Sequence, residues 1–356
     1  MMATTHEAIS VAPSVPVLSL QELVKESLSQ VPDRYVCLNQ DPLTLFDEMP
    51  AVPVIDLKKL AAEDITSSEL EKLHSSCKEW GLFQLVNHGV SSSMIEKLKA
   101  EIAEFFKLPL EEKAQYQRKE GEAEGYGPIR YLSDDQKLDW VDRLYFMSNP
   151  LHVRKPHLMP NFPPSLRDTM ELYLAEVQKL SMKILGSMAE ALKLKDKKEI
   201  EEIFDDGLQS VRINYYPPCP QPEKVIGCGS HSDASGITIL TQVNQVEGLQ
   251  FKKDGTWLPV NPHPDSFLVI IGDALEHRVT VNSDTERISI AVFFNPKLEA
   301  NIGPATTLVN PQIPPLFKTV TMKQYIKEFF SRKLDGKTFL ETMKINYKAS
   351  NGDCHM

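Results

Sequence analysis

The sequence predicts a mixed α/β chain with a mainly-β core, an antiparallel barrel or two-sheet roll with helices packed around it. Three observations carry that prediction. From about Ser210, short apolar runs (SVRINYY, GITILTQV, GLQFKK, TWLPV, SFLVIIGD, HRVTV and RISIAVFF) are separated by Gly, Asn, Asp and Pro turns. Upstream and downstream of them, apolar residues recur at helical spacing. The chain has 356 residues, 42% hydrophobic and 25% charged, enough to bury a sizeable core without disulfides or a structural metal.

Residues 1–50 read as an irregular, proline-punctuated extension, with one amphipathic piece, LSLQELVKESLSQV, that packs on the body as a helix. Residues 51–165 mix helix and strand. PAVPVIDLKKL gives a short apolar strand from Val52 to Leu57. Thr66 and Glu69 form a capping box for a helix through Lys78, with Leu70, Leu73 and Cys77 on one face. GLFQLVNHGV reads as a buried strand and SSMIEKLKAEIAEFFKL as an amphipathic helix. Residues 166–206 hold a long connecting helix, from Ser165 to about Leu194, capped by Ser165 after a double proline. Residues 207–298 are the β core. Residues 299–356 form a tail whose two helical stretches, TMKQYIKEFFSRKLDG and KTFLETMKI, flank Gly336.

Composition narrows the function. Lys+Arg 39 against Asp+Glu 49 leaves a net charge of −10, which argues against nucleic acid or an anionic membrane as a general partner. No stretch approaches the roughly 18 apolar residues of a membrane span. The opening MMATTHEAISVAPS has neither a basic n-region nor an apolar h-region, so a cytoplasmic monomer acting on a small molecule is expected. Cys37, Cys77, Cys219, Cys228 and Cys354 are scattered and form no C-x-x-C pair, which leaves no disulfide framework or thiolate zinc site.

Three constellations could carry chemistry. In His231-Ser232-Asp233, residues two apart project to one face of extended chain, giving one imidazole and one carboxylate together. A second histidine would complete a facial triad that leaves three positions of an octahedral iron(II) open, and His277, at the start of HRVTV, is the leading candidate. In RISIAVFF, alternation puts Arg287, Ser289, Ala291 and Phe293 on one face and Ile288, Ile290, Val292 and Phe294 on the other. An inward guanidinium needs an anion: either a carboxylate ligand held by Arg287 with Ser289 beside it, or a structural ion pair. In RINYYPPCPQP, Asn214 and Tyr216 share a face, placed for ligand contacts or for packing at a barrel edge. Phe293 suits either core or pocket.

Taken in order, NYYPPCP, H-S-D, H-R-V and R-I-S resemble the plant soluble iron(II)- and 2-oxoglutarate-dependent dioxygenases. The resemblance extends through VPVIDL, CKEWGLFQLVNHGV, EGYG, DQKLDWVDRLYF, VEGLQ, GTWLPV and ERISIAVF, nearly the whole chain, and leans toward the branch of senescence-related dioxygenases and alkaloid and flavonoid O-demethylases. It implies a double-stranded β-helix (jelly roll) core at 207–298 and a dioxygenase N-terminal region at 51–165. It also implies iron(II), 2-oxoglutarate as cosubstrate, O2, ascorbate as reductant, and hydroxylation or O-demethylation of a plant specialised metabolite. His231, Asp233 and His277 match the iron ligands. Arg287 and Ser289 match the grip on the distal 2-oxoglutarate carboxylate, Asn214 and Tyr216 its other polar contacts, and Phe293 the substrate pocket.

One departure stands out. Where the family pattern G-D-x-L-E continues through a segment with an Asn-Gly turn before H-R-V, Gly272-Asp273-Ala274-Leu275-Glu276 here runs directly into His277. Asp233 to His277 spans 44 residues (277 − 233), roughly ten short of the family spacing. The expectation is that His277 is drawn off the metal toward Asp273, or that HRVTV slips in register, weakening the enzyme or leaving a ligand-binding relative without catalysis. An oxidase of the same fold that does not use 2-oxoglutarate is a further alternative.

Overall fold

A computed structural model describes residues 19–26, 28–37, 51–61, 67–128, 136–330 and 338–346. Thr66, Gly336, Cys354 and the first eighteen residues, on which some of the readings above rest, lie outside them. The strands are β1 (Val54–Asp56), β2 (Leu82–Val86), β3 (Gly125–Gly127), β4 (Asp142–Asn149), β5 (Leu208–Tyr216), β6 (Cys228–His231), β7 (Ile237–Gln242), β8 (Leu249–Lys253), β9 (Thr256–Pro259), β10 (Phe267–Ile271), β11 (His277–Val279) and β12 (Arg287–Asn295). Eight of them form one sheet in the order β1-β2-β10-β7-β12-β5-β4-β3, and four form a second in the order β6-β11-β8-β9.

The alternation expected for β12 sorts the core into two layers. Ile288, Ile290, Val292 and Phe294 join a cluster with Leu98, Ile102, Phe105, Tyr173, Val177 and Ile184. Those partners come from α1 (Ser92–Lys107) and α2 (Leu166–Ala191), so this face of the large sheet is covered by helices. Ala291 belongs to a second cluster with Leu240, Leu268 and Ile270 of the large sheet and Phe251, Leu258 and Val279 of the small one. The two sheets therefore face each other across an apolar interior. This is a jelly roll, with helices on the outer face of its larger sheet.

Several local readings need correction. Ser165 stands at the start of α2 but makes no side-chain cap; its hydroxyl donates to Glu101 instead, joining α1 to α2. Glu69 lies in the helix Ser67–Ser75, and its carboxylate accepts from the Asp56 N–H at 3.0 Å, fixing the end of β1. That helix continues as a wide turn through Trp80 and stops at Gly81, whose φ of 69° is left-handed. Leu73 is core, with Leu70 and Cys77 packed against it, as the apolar spacing predicts. β4 and β3 extend the large sheet where no strand was expected.

The N-terminal piece is clasped by buried polar groups. Ser19 Oγ and the N–H groups of Leu20 and Gln21 donate to the Asp142 carboxylate at 2.6, 3.0 and 2.9 Å. Lys113 Nζ and Tyr126 Oη donate to Gln21 Oε1 at 2.6 and 2.9 Å. Burial pushes the Asp142 carboxyl up against these donors. No described helix is long and apolar enough to cross a membrane. The described cysteines Cys37, Cys77, Cys219 and Cys228 form no disulfide.

Candidate active site

The antiparallel pairing of β6 and β11 sets His231 directly opposite His277, and their rings lie 4.3 Å apart. Asp233 follows two residues after His231, and its Oδ1 is 3.7 Å from the Nε2 of both histidines. All three side chains are buried, with donor atoms within 4.8 Å of one another. Backbone carbonyls fix the rings. His231 Nδ1 meets Gly229 O at 2.8 Å and His277 Nδ1 meets Leu275 O at 3.3 Å. A carbonyl can only accept, so Nδ1 carries the proton and Nε2 turns its lone pair inward. Asp233 is oriented likewise, its Oδ2 accepting from Thr238 Oγ1 at 2.7 Å, which leaves Oδ1 for the cavity.

Electrostatics keep this set in its ligating form. Burial, then the neighbouring His231, push His277 down to about 4, and burial lowers His231 as well. Burial works against the Asp233 carboxylate, but His277, His231, Arg212 and the Thr238 hydroxyl outweigh it and hold its pKa below the usual range. Two neutral imidazoles and one carboxylate are the donors a divalent iron takes. His231 Nε2 is buried with no hydrogen-bond partner, as a group reserved for a metal would be. At metal–ligand distances of about 2.1 Å, cis ligands sit about 3.0 Å apart, so small side-chain rotations would close the set. The residues fit iron(II).

His277 is therefore not displaced, contrary to the expectation drawn from the shortened interval: it pairs with His231 and Phe251, and the pairing of β11 with β6 shifts register between His277 and Val279. The residues present suffice for the crossing between the sheets. From the end of β10 at Ile271, a single helical turn, Gly272–Ala274, leads through Leu275 and Glu276 to β11. Six extended steps cover about 20 Å, against a sheet separation of about 10 Å. The turn is held tightly: Gly272 N–H donates to Gly236 O at 3.2 Å, and a Cβ on Gly272 would fall 1.6 Å from Ser235 O. Ser230 donates to Glu276 at 2.6 Å, so the residues preceding both histidines are tied together.

Beyond the donor set, the same cavity runs along the inner face of β12. Register pairs Arg287 with Tyr216 and Ser289 with Asn214. Arg287 is 2% exposed and extends over the Tyr216 ring, 5.4 Å from its centroid. Its Nη2 donates to Gln242 Oε1 at 3.0 Å and its Nη1 to Ser289 Oγ at 3.4 Å, while Nε is buried without a partner. Asn214 Nδ2 also reaches Ser289 Oγ, at 3.3 Å. No side-chain anion faces Arg287 within ion-pair distance among the described residues, so the structural ion pair considered from sequence is not formed. The space between these side chains is about 370 Å³ with the open mouth counted in. Leu240, Leu249, Ile270, Val279 and Ala291 form its apolar walls.

Sequence reasoning overlooked Arg212. It shares the inner face of β5 with Asn214 and Tyr216, so the alternation that selected them could have found it. It lines the cavity beside the metal ligands, its Nε is buried and unpartnered, and its guanidinium lies 5.0 Å over the ring of Phe293. Phe293 is half-buried at the far end of the inner face from Arg287 and does not itself line the cavity. Gln242, which holds Arg287, was also missed. A larger cleft, about 680 Å³, opens along Gln84, His88 and Lys99, but the described residues gather no second cluster of three or more metal-ligating groups.

Comparisons with known proteins agree with this chemistry. The family model for the N-terminal region of non-haem dioxygenases in morphine synthesis matches residues 52–165, and that of the 2OG-Fe(II) oxygenase superfamily matches residues 207–296. The chain is similar to oxoglutarate-dependent flavonoid 7-O-demethylase 1 of Ocimum basilicum, 47% identical over 350 residues that cover 95% of this chain and 94% of that protein. Codeine O-demethylase of Papaver somniferum is also 47% identical over 350 residues, 93% of this chain and 96% of that protein. Among solved structures, that of JOX2 in complex with 2OG, Fe and JA superposes with a TM-score of 0.84 at 35% identity, covering 94% of this chain and all of that one.

Proposed function

The chain belongs to the 2OG-Fe(II) oxygenase superfamily, and from that membership we propose that it O-demethylates a methoxylated phenol of the flavonoid class. It is a 2-oxoglutarate-dependent dioxygenase of plant specialised metabolism. His231, Asp233 and His277 would hold iron(II), which when bound supplies C–H oxidation by O2 coupled to conversion of 2-oxoglutarate to succinate and CO2. Arg287 and Ser289 grip the distal carboxylate of 2-oxoglutarate, with Asn214 and Tyr216 beside them. The apolar walls keep water from the reacting carbon. Hydroxylation of a methoxyl carbon gives a hemiacetal, which releases formaldehyde and leaves the phenol.

The observation that favours a phenol over an alkaloid amine is Arg212. Burial works against its charge, but Cys228 and Asp233 among its neighbours outweigh burial and hold its pKa above the usual range. A fixed cation with a buried, unpartnered Nε suits a phenolic or carbonyl oxygen, whereas an ammonium substrate beside it would be repelled. Phe293, under the guanidinium, holds Arg212 in place from outside the cavity.

Purified protein with iron(II), ascorbate and 2-oxoglutarate should release succinate and formaldehyde with methoxyflavonoids and little with methoxylated alkaloid amines. Arg212→Ala should raise the KM of the phenolic substrate about tenfold and leave that of 2-oxoglutarate unchanged. Turnover confined to amines would overturn the substrate class. Iron binding without succinate from any substrate would instead favour the non-catalytic reading.

A further inference from the structure

The residue between two proposed metal ligands is Ser232, 1% exposed, and its hydroxyl donates to Oδ1 of Asp273. Asp273 sits in the turn Gly272–Ala274, part of the retained G-D-x-L-E pattern, four residues before His277. Its other oxygen accepts from the hydroxyl of Tyr325 at 2.8 Å. Tyr325 lies on the C-terminal helix Met322–Phe330, where it packs edge-on against Phe339 with ring centroids 4.9 Å apart. The cluster around it also takes in Ala234, the neighbour of Asp233. One carboxylate thus joins the stretch carrying His231 and Asp233, the turn leading to His277, and the C-terminal helix.

We infer that Asp273 and Tyr325 are positioning residues that hold the metal ligands from behind, so that the hydrogen bond from the Tyr325 hydroxyl to Asp273 tunes metal affinity. The packing of the tyrosine ring does not require its hydroxyl, since Phe329 fills the same cluster without one. What the hydroxyl adds is a fixed direction for Asp273, and through it for Ser232. A serine rotated by a fraction of an ångström carries both of its neighbours with it, and metal sites tolerate little such error. In a chain with a short Asp273-to-His277 connection, the same hydrogen bond also limits how far the turn can pull His277 toward its strand end.

The inference rests on His231, Asp233 and His277 binding a metal, so the full-length protein is tested first for that. Titration with Mn(II), read from the electron paramagnetic resonance signal of the free ion, gives a Kd without requiring turnover. Tyr325→Phe should weaken binding about fivefold and Asp273→Asn about 10- to 100-fold. Phe329→Ala removes core packing from the same helix and should lower Tm while leaving Kd within about twofold of wild type. A Tyr325→Phe protein that binds Mn(II) as tightly as wild type would overturn the positioning role. So would a Phe329→Ala protein that weakens binding as much as Tyr325→Phe, because helix stability alone would then account for the effect. Failure of the wild-type chain to bind Mn(II) would overturn the metal site itself and the inference with it.

Discussion

Replacing Arg287 with Lys tests the cosubstrate site at its most specific point. The guanidinium is held in place by Gln242 at 3.0 Å and Ser289 at 3.4 Å, with Tyr216 beneath it and Nε unpartnered. A planar fork fixed in this way can meet a carboxylate through two parallel N–H groups, whereas an ammonium offers a point charge with no preferred plane. The variant keeps the charge and loses one charged hydrogen bond, about 1.5–3 kcal/mol. That corresponds to a Kd for 2-oxoglutarate weakened by roughly 10- to 150-fold. The removed Nη2 also leaves Gln242 Oε1 without its donor, which pushes the effect toward the upper end. Calorimetry on the Mn(II)-loaded protein measures the Kd directly, and 2-oxopentanoate, which lacks the distal carboxylate, supplies the control. It should bind wild type and variant equally weakly. Equal 2-oxoglutarate affinity in the two proteins would show that Arg287 serves the fold and not the ligand, and an equal penalty for both acids would show a general distortion of the site.

Other consequences can be checked separately. His277→Ala should weaken Mn(II) binding by at least about 100-fold with only a small change in Tm, because apolar clusters and not the metal organise the core; a chain that unfolds without metal would contradict this. Inserting a family-length segment between Glu276 and His277 should leave Mn(II) affinity unchanged, since His277 already faces His231; a marked gain would restore the idea that the short connection strains the site. Lys113, buried beside Gln21, has its pKa pushed down to about 8 from 10.5, chiefly by burial. Between those values the unfolded chain binds more protons than the folded one, so urea-measured stability should rise with pH across that window, and Lys113→Met should flatten the rise.

What the sequence made legible was set by periodicity. β12 and β5 announce both faces, because strict alternation separates Arg287, Ser289 and Asn214 from Ile288, Ile290 and Ile213. β4 alternates just as strictly in burial but opens on Asp142 and Arg143, and charged residues at the head of a strand conceal it. The buried Asp142 is explained chiefly by donors far upstream. β6, Cys-Gly-Ser-His, has no apolar pattern; it is a strand because β11 pairs with it. Ser165 looked like a cap because local chemistry favours one, yet Glu101 of a neighbouring helix claims its hydroxyl. His277 was misjudged because length along the chain was equated with distance between the sheets. Asp273 and Tyr325 are 52 residues apart, and no short-range rule relates them.

The clasp at Asp142 sets an order in time. Its donors at Ser19, Leu20 and Gln21 lie 121 to 123 residues upstream, so they leave the ribosome long before the carboxylate they bind. At synthesis rates of about 5–20 residues per second, that interval alone is roughly 6–25 seconds. β4 must then wait for β5, its sheet neighbour, before Asp142 is held in position. The stretch made first is thus completed late, and Leu20, fully covered in the finished protein, stays uncovered meanwhile. A nascent chain of this design presents an early hydrophobic segment to chaperones and proteases, and its survival depends on how fast the central sheet assembles behind it.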